Sequence, residues 1–549
     1  MLYLNWHSQN NNQMQGNSEK GGRKRASTPG YVSPNQLVLQ GFETPFEQKL
    51  TKQNRWVKLA HSIPWDRLVR YYDDLFPSKE GRPPISGRVI LGAVIIKHLG
   101  DLSDRETIAQ IQENMFMQYF LGYSSFTNEE PFSDTLFVEI RKRLSLELLG
   151  KINETIALYC MDIVAARTEE QKKSEDKNQP TGSKDDIEAD KTNENLSQEV
   201  TVASEKELPQ GNNLPPAQRN KGKLLVDATV APQNITFPTD LKLLNASRKK
   251  SEELIDKLFN PALHGKTKAR TYREVARKLF LNSAKKKRKT AREIYKANGQ
   301  QLRFLKRNLG HIDVLLSAYA TFPLNAKDQK YLMVLHTVYD QQEEMHRTHS
   351  HSMEHRIVNI HQPHVRPIVR GKESAKTEFG SKIQVSLTGG FAFIDHQSWE
   401  AFNEGTYLID TIEKYKSRFG HYPEEVLADQ IYCSRENRKQ LRLLDIKLIA
   451  KPLGRPSALA VQNHIRPGER NAIEGKFGQG KTAYGLNKIR ARLSDTSTSW
   501  IAAIALVLNL VKLAGQALVR LIDLKRNQIV NSGRYFVTLF CNRMGRLSY

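Results

Sequence analysis

The sequence is poor in cysteine and has no long uninterrupted apolar run. Its 549 residues include only three cysteines, Cys160, Cys433 and Cys541, which lie far apart and in no paired spacing. They support neither a disulfide framework nor a cysteine-based zinc site, so we expect a reducing, cytoplasmic environment. The first residues, up to Gly16, are rich in Asn and Gln and lack the apolar segment of a secretory signal. Export is therefore not expected.

The longest apolar run, from Trp500 to Val511, is interrupted by Asn509 and followed by Lys512. It is shorter than the roughly 20 residues that a bilayer crossing requires, so it predicts a buried helix. Acidic residues are also scarce, because 59 Asp and Glu stand against 83 Lys and Arg, giving a net charge of +24 and a pI near 9.7. This balance indicates a polyanionic partner, with nucleic acid as the first candidate and an anionic membrane surface as the second.

Composition and hydrophobic spacing divide the chain into five regions. We predict a flexible tail (1–42), a helical N-terminal domain (43–167), a disordered linker (168–221), a catalytic domain (222–525) and a C-terminal extension (526–549). In the N-terminal domain one helix is predicted to end at Gly100. A second helix, with a Ser103/Glu106 capping box, is predicted to run to Gly122. Both a DNA-binding helix-turn-helix and an ordinary helical packing domain fit this pair.

The region after the linker has the pattern of a mixed α/β domain with a long, basic helical insertion at about 241–363. Strands are predicted at 223–230, 367–370, 426–428 and 446–450, a hairpin at Gly389-Gly390, and helices at 399–419, 434–444, around 474 and at 500–522. Helices of the insertion are expected to continue to about His355. Within it, Lys285, Lys286, Lys287 and Arg288 are expected to contact phosphate.

Three acidic residues occupy positions that suit a catalytic site. Asp227 is inside the first strand among apolar residues, where an unpaired carboxylate is costly. Asp429 ends a later strand, and ligands collect at the carboxyl ends of strands in such sheets. Glu474 shares one helical face with Arg470 and Lys481. Because clustered carboxylates repel one another, we expect two Mg²⁺ ions between them, roughly 3.5 to 4 Å apart.

These residues and their order resemble the DDE transposases of bacterial insertion sequences, in the group formed by families four and five. Arg470, Glu474 and Lys481 fit the group's pattern of Arg, three residues, Glu, six residues and Lys. The surroundings of Asp227 and Asp429 are also similar, as is the N-terminal segment that includes Asn54-Arg55-Trp56. Pro467 departs from the pattern, because the group often has Tyr there.

The resemblance implies a ribonuclease H-like α/β core with an insertion after its first strand, preceded by an all-α domain that helps to bind DNA. It implies that Asp227, Asp429 and Glu474 hold two Mg²⁺ ions, which Mn²⁺ can replace. Arg470, Lys481 and Arg435 would hold the scissile strand. The implied activity is cut-and-paste transposition at terminal inverted repeats, by a homodimer on double-stranded DNA in the bacterial nucleoid, without membrane association.

Three other functions fit parts of the sequence. A non-catalytic DNA-binding protein would use the basic surface alone, and a host nuclease of the same fold would cut without specific terminal sequences. His351, Glu354 and His355 match a short zinc metalloprotease pattern that needs a helix and a third ligand. In a histidine-rich segment this pattern arises easily by chance.

Overall fold

The computed structural model describes residues 50–76, 84–176, 220–369, 377–450, 468 and 470–515. The predicted tail, the C-terminal extension, most of the linker and Pro467 lie outside the described residues. Within the described part, a helical N-terminal region is followed by a mixed α/β region, as the sequence predicts.

Seven helices form the described N-terminal region. They are α1 (Arg55–Ser62), α2 (Trp65–Asp73), α3 (Gly87–Leu99), α4 (Asp104–Glu113), α5 (Met115–Leu121), α6 (Leu136–Arg143) and α7 (Leu146–Asp176). α3 is buried along nearly its whole length, because it lies at the centre of a core built from its neighbours. α7 extends beyond the predicted boundary at 167.

The predicted second helix of the N-terminal pair is divided at Asn114. The Ser103/Glu106 capping box is confirmed at the start of α4, but the Asn114 side chain accepts hydrogen bonds from the N–H groups of Phe116 and Met117. It therefore caps a new helix, α5, and the prediction of one continuous helix to Gly122 is wrong.

The exposed side of α4 carries little positive charge. Its exposed residues are Arg105, Glu106, Gln110 and Glu113. Arg105 also lies 3.6 Å from the carboxylate of Asp134. Since acidic side chains repel phosphate, the charges favour a packing role for this helix pair over a role in reading DNA.

The sheet is built around β1 (Lys223–Pro232), which pairs antiparallel with β3 (Thr377–Thr388) and parallel with β5 (Glu425–Leu427). The strand β6 (Lys447–Ile449) adds parallel to β5, while β2 (Arg366–Val369) and β4 (Phe391–Ser398) pair antiparallel with β3. β3 and β4 form the predicted hairpin. Gly389 and Gly390 both have positive φ, as a two-residue turn of this kind requires.

Two helices connect the strands on the parallel side of the sheet. α13 (Leu408–Phe419) lies between β4 and β5, and α14 (Arg435–Leu443) between β5 and β6. The prediction that the first of these begins at Trp399 is wrong. Asn403 caps a short 3₁₀ turn, Glu404–Tyr407, and the α-helix starts only at Leu408.

The insertion between β1 and β2 is a helical bundle with its own core. Its helices are α8 (Asp240–Leu258), α9 (Pro261–His264), α10 (Arg273–Ala284), α11 (Ala291–Ser317) and α12 (Ala326–Arg347). Leucine and valine side chains of α8, α11 and α12 pack together. The helices were expected to reach about His355, but α12 ends at Arg347 and His355 has a positive φ.

Two further helices, α15 (Asn471–Ala483) and α16 (Ser494–Gly515), follow the sheet. Ile501, Ile504 and Val507 of α16 pack against the sheet, whereas Ala503 and Leu506 pack against the N-terminal helices. Among the described residues, α16 alone is long and apolar enough to span a membrane, with a mean hydropathy of 1.6. Because 67% of that apolar window is buried in the protein, it fits the predicted buried helix.

Asn509 joins three elements through one buried side chain. Its amide accepts from Ala392 N–H and donates to Ala392 C=O, each at 2.8 Å, and also donates to Asn153 Oδ1 at 2.8 Å. It thereby satisfies the backbone of β4 where that strand has no neighbouring strand, and it ties α16 to α7.

We expect Asn509→Ala to lower the free energy of unfolding by about 1–3 kcal/mol, because the variant leaves buried polar groups of Ala392 and Asn153 without a partner. Denaturant unfolding measures the change. Gln110→Ala, at an exposed amide of α4, is the matched control and should change stability by less than about 0.5 kcal/mol. Equal stabilities for the two variants would contradict the role given to Asn509.

Candidate active site

The sheet aligns Asp227 with Asp429. β1 and β5 are parallel neighbours, and their last paired residues are Leu225 and Leu427. Asp227 lies two residues after Leu225, and Asp429 lies two residues after Leu427. Since adjacent parallel strands are about 4.8 Å apart, residues in register present their side chains side by side. The pairing thus brings together two acids that are far apart in the sequence.

Both aspartates pair with one guanidinium. Arg470 Nη2 donates to Asp227 Oδ2 at 3.1 Å, and Arg470 Nη1 lies 3.3 Å from Asp429 Oδ1. The second oxygen of Asp227 accepts from the N–H of Ala228 at 2.8 Å. Asp429 Oδ1 also accepts from the N–H of Gln430 at 2.8 Å. The two carboxylates therefore converge on a shared cation.

Asp227 is the more buried of the two acids, with its side chain 18% exposed against 56% for Asp429. Burial raises the pKa of Asp227 above its ordinary value. The hydrogen bond from Ala228 and the charge of Arg470 lower that pKa, whereas the negative charges of Glu404 and Asp429 raise it further. A cation at this position stabilises the charged form of Asp227, as Arg470 does here.

Glu474 and Lys481 lie on α15, which confirms the predicted helix around Glu474. Arg470 is the N-cap of this helix, so Glu474 follows it by about one turn, and Lys481 comes two turns after Glu474. Glu474 is exposed and Lys481 half-buried. In the described part of the chain, no three His, Cys, Asp or Glu side chains form a group that could hold a metal ion. The three-carboxylate chelate remains a prediction.

The other predicted phosphate contacts fall at two places. Arg435 is exposed in the first turn of α14, just after the loop that carries Asp429. Lys285, Lys286, Lys287 and Arg288 are exposed between α10 and α11, in the insertion. Arg435 is thus close in sequence to the aspartate pair, whereas the lysine run belongs to a separate helical bundle.

Three further residues belong to the site: Glu404, which the sequence did not indicate, and Tyr432 and Asn437, which lie in the segment after Asp429 that resembles the transposase group but were given no role. Glu404 affects Asp227 electrostatically and pairs with Lys382 at 2.9 Å. Tyr432 is fully buried, and its hydroxyl has no hydrogen-bond partner among the described residues. Burial, followed by the charges of Glu404 and Asp227, raises the pKa of Tyr432 above its ordinary value.

The third residue, Asn437 of α14, connects the loops that carry these groups. Its buried side-chain amide donates to Gly405 C=O at 2.7 Å and to Tyr432 C=O at 3.0 Å. A Cβ on Gly405 would lie only 2.7 Å from the carbonyl oxygen of Ile431, so the two loops touch closely. Asn437 therefore positions the Glu404 segment against the Asp429 segment. These contacts join segments that are distant in sequence, so the local sequence pattern does not predict them.

The donor chemistry fits a hard divalent cation. Asp227 and Asp429 supply carboxylate oxygens, the ligand type that Mg²⁺ prefers, and a guanidinium already lies against both.

The metalloprotease alternative fits poorly, because His351, Glu354 and His355 are not on a helix. His355 instead pairs with Glu400 at 3.0 Å, a carboxylate that also accepts from Arg366.

The fold and the site define a mixed α/β protein with an aspartate pair arranged around a cation. Two family models match the chain. Residues 44–143 match the "Transposase domain (DUF772)", which covers α1 to α6, and residues 426–511 match the "Transposase DDE domain". The second match includes Asp429, Arg470, Glu474 and Lys481. These matches support an insertion-sequence DDE transposase, so the resemblance inferred from the motifs is confirmed.

A curated relative from Rhizobium meliloti, described as "Uncharacterized protein ORF8 in nfe locus", is 29% identical over 128 residues. The alignment covers 23% of this chain and 61% of the relative. No solved structure matches the chain.

Proposed function

We propose that the protein moves an insertion sequence by a cut-and-paste mechanism, cutting DNA at terminal inverted repeats and joining the freed ends to target DNA. The observation that carries the proposal is the pairing of Asp227 and Asp429, on adjacent parallel strands, with Arg470, the N-cap of α15. We further propose that the α/β region is a ribonuclease H-like core. The strand order β4-β3-β1-β5-β6, with β3 antiparallel to β1, supports this.

Asp227 and Asp429, with Glu474 from α15, would hold the divalent metal ions. When bound, two Mg²⁺ ions activate the attacking oxygen and stabilise the leaving oxygen of a phosphodiester. The protein contributes a rigid arrangement, because β1 and β5 fix the aspartates by backbone pairing and Asn437 fixes the loop after Asp429. Such positioning supplies much of the catalysis of phosphoryl transfer.

Arg470, Arg435 and Lys481 would hold the scissile strand. The guanidinium of Arg470 presents a planar pair of N–H donors to carboxylates here, and a phosphate group accepts the same two-point geometry. Arg435 is exposed beside the aspartate loop and can reach a second phosphate. In this proposal the attack needs no covalent enzyme intermediate.

The partners follow from this activity. Transposon ends and target are double-stranded DNA, and two ends must be joined, so we propose a homodimer on DNA. The net charge of +24 supports a polyanionic partner. We propose a cytoplasmic protein associated with the bacterial nucleoid and not with a membrane, in line with the burial of α16.

The proposed function predicts that DNA cutting depends on both a divalent metal and the terminal sequence, and one experiment tests both. Wild-type protein is incubated with a duplex carrying the genomic sequence that flanks its gene, and with a scrambled duplex of equal length. We expect cutting at the flank sequence with Mg²⁺ or Mn²⁺, none with EDTA, and full recovery when Mg²⁺ is restored. Binding of Mn²⁺ followed by its magnetic resonance signal gives a readout independent of cutting. Equal cutting of both duplexes would favour a host nuclease, and DNA binding without any cutting would favour a non-catalytic binding protein.

A further inference from the structure

The helix α10 of the insertion is unusual because almost all of it faces solvent. Of its 12 residues only Ala276 is buried. At about 100° per residue, Ala276, Phe280 and Ser283 lie on the inner side. The outer side presents Glu274, Arg277, Lys278, Leu281, Asn282 and, just past the helix end, Lys285, all of which are exposed.

The N-terminal end of α10 is firmly anchored to the bundle. Gln301 of α11 is buried and donates to Ala276 C=O at 3.1 Å, and Arg273 pairs with Asp256 of α8 at 2.9 Å. The Arg307 guanidinium also donates to Thr271 C=O and lies 4.7 Å from the ring centre of Tyr272. These contacts hold the helix in a defined direction without covering its outer side.

The C-terminal half of α10 is less closely packed. A cavity of about 590 Å³ lies behind it, lined on the α10 side by Leu279, Asn282 and Ser283. The helix therefore projects from the bundle by this half. Its outer side chains Arg277, Lys278 and Leu281 are exposed, and Asn282 is exposed at the rim of the cavity. A helix of 12 residues is about 18 Å long, which suits insertion into the major groove of DNA.

The charges at this end are available to phosphate. Within the described part of the chain, neither Arg277 nor Lys278 has an acidic partner, and the same holds for Lys285, Lys287, Arg288 and Lys289 of the following loop. Lys286 differs, because it pairs with Glu293 at 2.6 Å. A side-chain cation without an acidic partner can contact a DNA phosphate without first leaving an ion pair. Such contacts release counterions from the DNA and so favour binding.

We propose that α10 is the helix that reads DNA sequence in the major groove, with the loop 285–289 fixing its position on the phosphate backbone. This inference rests on the proposed function for its partner, double-stranded DNA. The outer side chains match the groups that base edges offer: Arg277 can donate to guanine, Asn282 can pair with adenine, and Leu281 can contact the thymine methyl group. On its exposed side α10 carries one acid, Glu274, beside Arg277, Lys278 and Lys285, whereas α4 carries Glu106 and Glu113 beside a single cation, Arg105.

Binding selection tests the assignment without depending on cleavage. The full-length protein, without divalent metal, selects from duplexes with a randomised central segment. We expect the wild type to select a preferred sequence. Arg277→Ala and Asn282→Ala should each relax the preference at one or two base pairs by about 10-fold or more. Lys287→Ala should weaken binding to all duplexes alike and reduce the salt slope by about 1.

Arg105→Ala on α4 is the matched control and should leave the selected sequence unchanged. All substituted side chains are exposed, so the variants should fold, which circular dichroism checks. The assignment is overturned if the wild type selects no sequence, if the α10 variants select the wild-type sequence unchanged, or if the control variant is the one that alters it. A chain that selects a sequence through α10 but does not cut DNA with Mg²⁺ would support this assignment and contradict the catalytic proposal.

Discussion

Replacing Asp429 by Asn should lower DNA strand cleavage at least about 100-fold while leaving DNA affinity within about 2-fold of the wild type. The substitution keeps the size of the side chain but removes one of the two charges that meet at Arg470. Loss of a single preorganised electrostatic contact in an active site commonly costs this much. Cleavage of end-labelled duplex with Mg²⁺, measured beside binding of the same duplex, separates the two quantities.

Asp445→Asn provides the control for this substitution. Asp445 is exposed after α14 and has a φ of +53°, a conformation that Asn adopts as readily as Asp. The substitution makes the same chemical change outside the site, so the Asp445→Asn variant should cut DNA at the wild-type rate. Asp227→Asn should behave like Asp429→Asn, since Arg470 joins the two. Cleavage that survives in Asp429→Asn with unchanged binding would rule out the catalytic role of the pair.

Replacing Trp500 by Ala should lower the free energy of unfolding by about 3–5 kcal/mol. Trp500 begins the buried apolar run of α16 and is 4% exposed. Its indole meets the ring of His98 edge-on, with ring centres 4.9 Å apart, and Lys97 Nζ lies 4.5 Å from the indole centre. Arg141 approaches the same ring at 5.5 Å. The variant removes a large side chain from the junction between the N-terminal helices and the core.

The loss of stability should lie in the upper part of this range, because buried charges contact this ring. Lys97 and Arg141 are 2% and 9% exposed, yet they share one carboxylate, that of Asp104, at 2.9 and 2.8 Å. Burial lowers the pKa of Lys97, and the Asp104 charge opposes this. The C=O of Leu102, which accepts from Lys97 Nζ at 2.7 Å, and the indole face add further negative potential.

Unfolding by denaturant, followed by circular dichroism, measures the effect. Trp500→Phe retains an aromatic face and should lose much less stability than Trp500→Ala. A loss below about 1 kcal/mol in the alanine variant would show that the junction does not contribute to the stability of the fold in this way.

The elements best predicted from sequence are those whose signals are local. β1 shows a buried apolar run, the hairpin is marked by Gly389-Gly390, and the capping box places the start of α4. Three glycines weaken the helical pattern around Glu474, but α15 forms because Ile473 is buried and Gly480 packs closely on Leu486 and Leu508. The boundaries that failed, at Asn114, Trp399 and Arg347, depend on single capping residues or on turns that end a helix early.

The candidate site was predicted only in part. Asp227 was identified because an acid among apolar strand residues is costly unless a cation neutralises it, and Asp429 because ligands collect at the carboxyl ends of strands. That Arg470 would pair with both acids could not be predicted, since the contact depends on how α15 meets β1 and β5. Asn437 belongs to the segment after Asp429 that resembles the transposase group, but its bridging contacts could not be predicted, because a buried amide between two distant loops leaves no periodic trace in the sequence.

The sequence by itself determined the charge of the protein, the order of its strands and helices, and the motif residues 227, 429, 470, 474 and 481, since each of these depends on composition or on spacing along the chain. Only the tertiary structure decided which charges meet. The parallel register of β1 and β5 places Asp227 beside Asp429, and the bundle leaves the outer side of α10 in solvent while α3 is enclosed. Neither could be read from spacing, because strand pairing and helix burial are set by contacts between segments far apart in the chain.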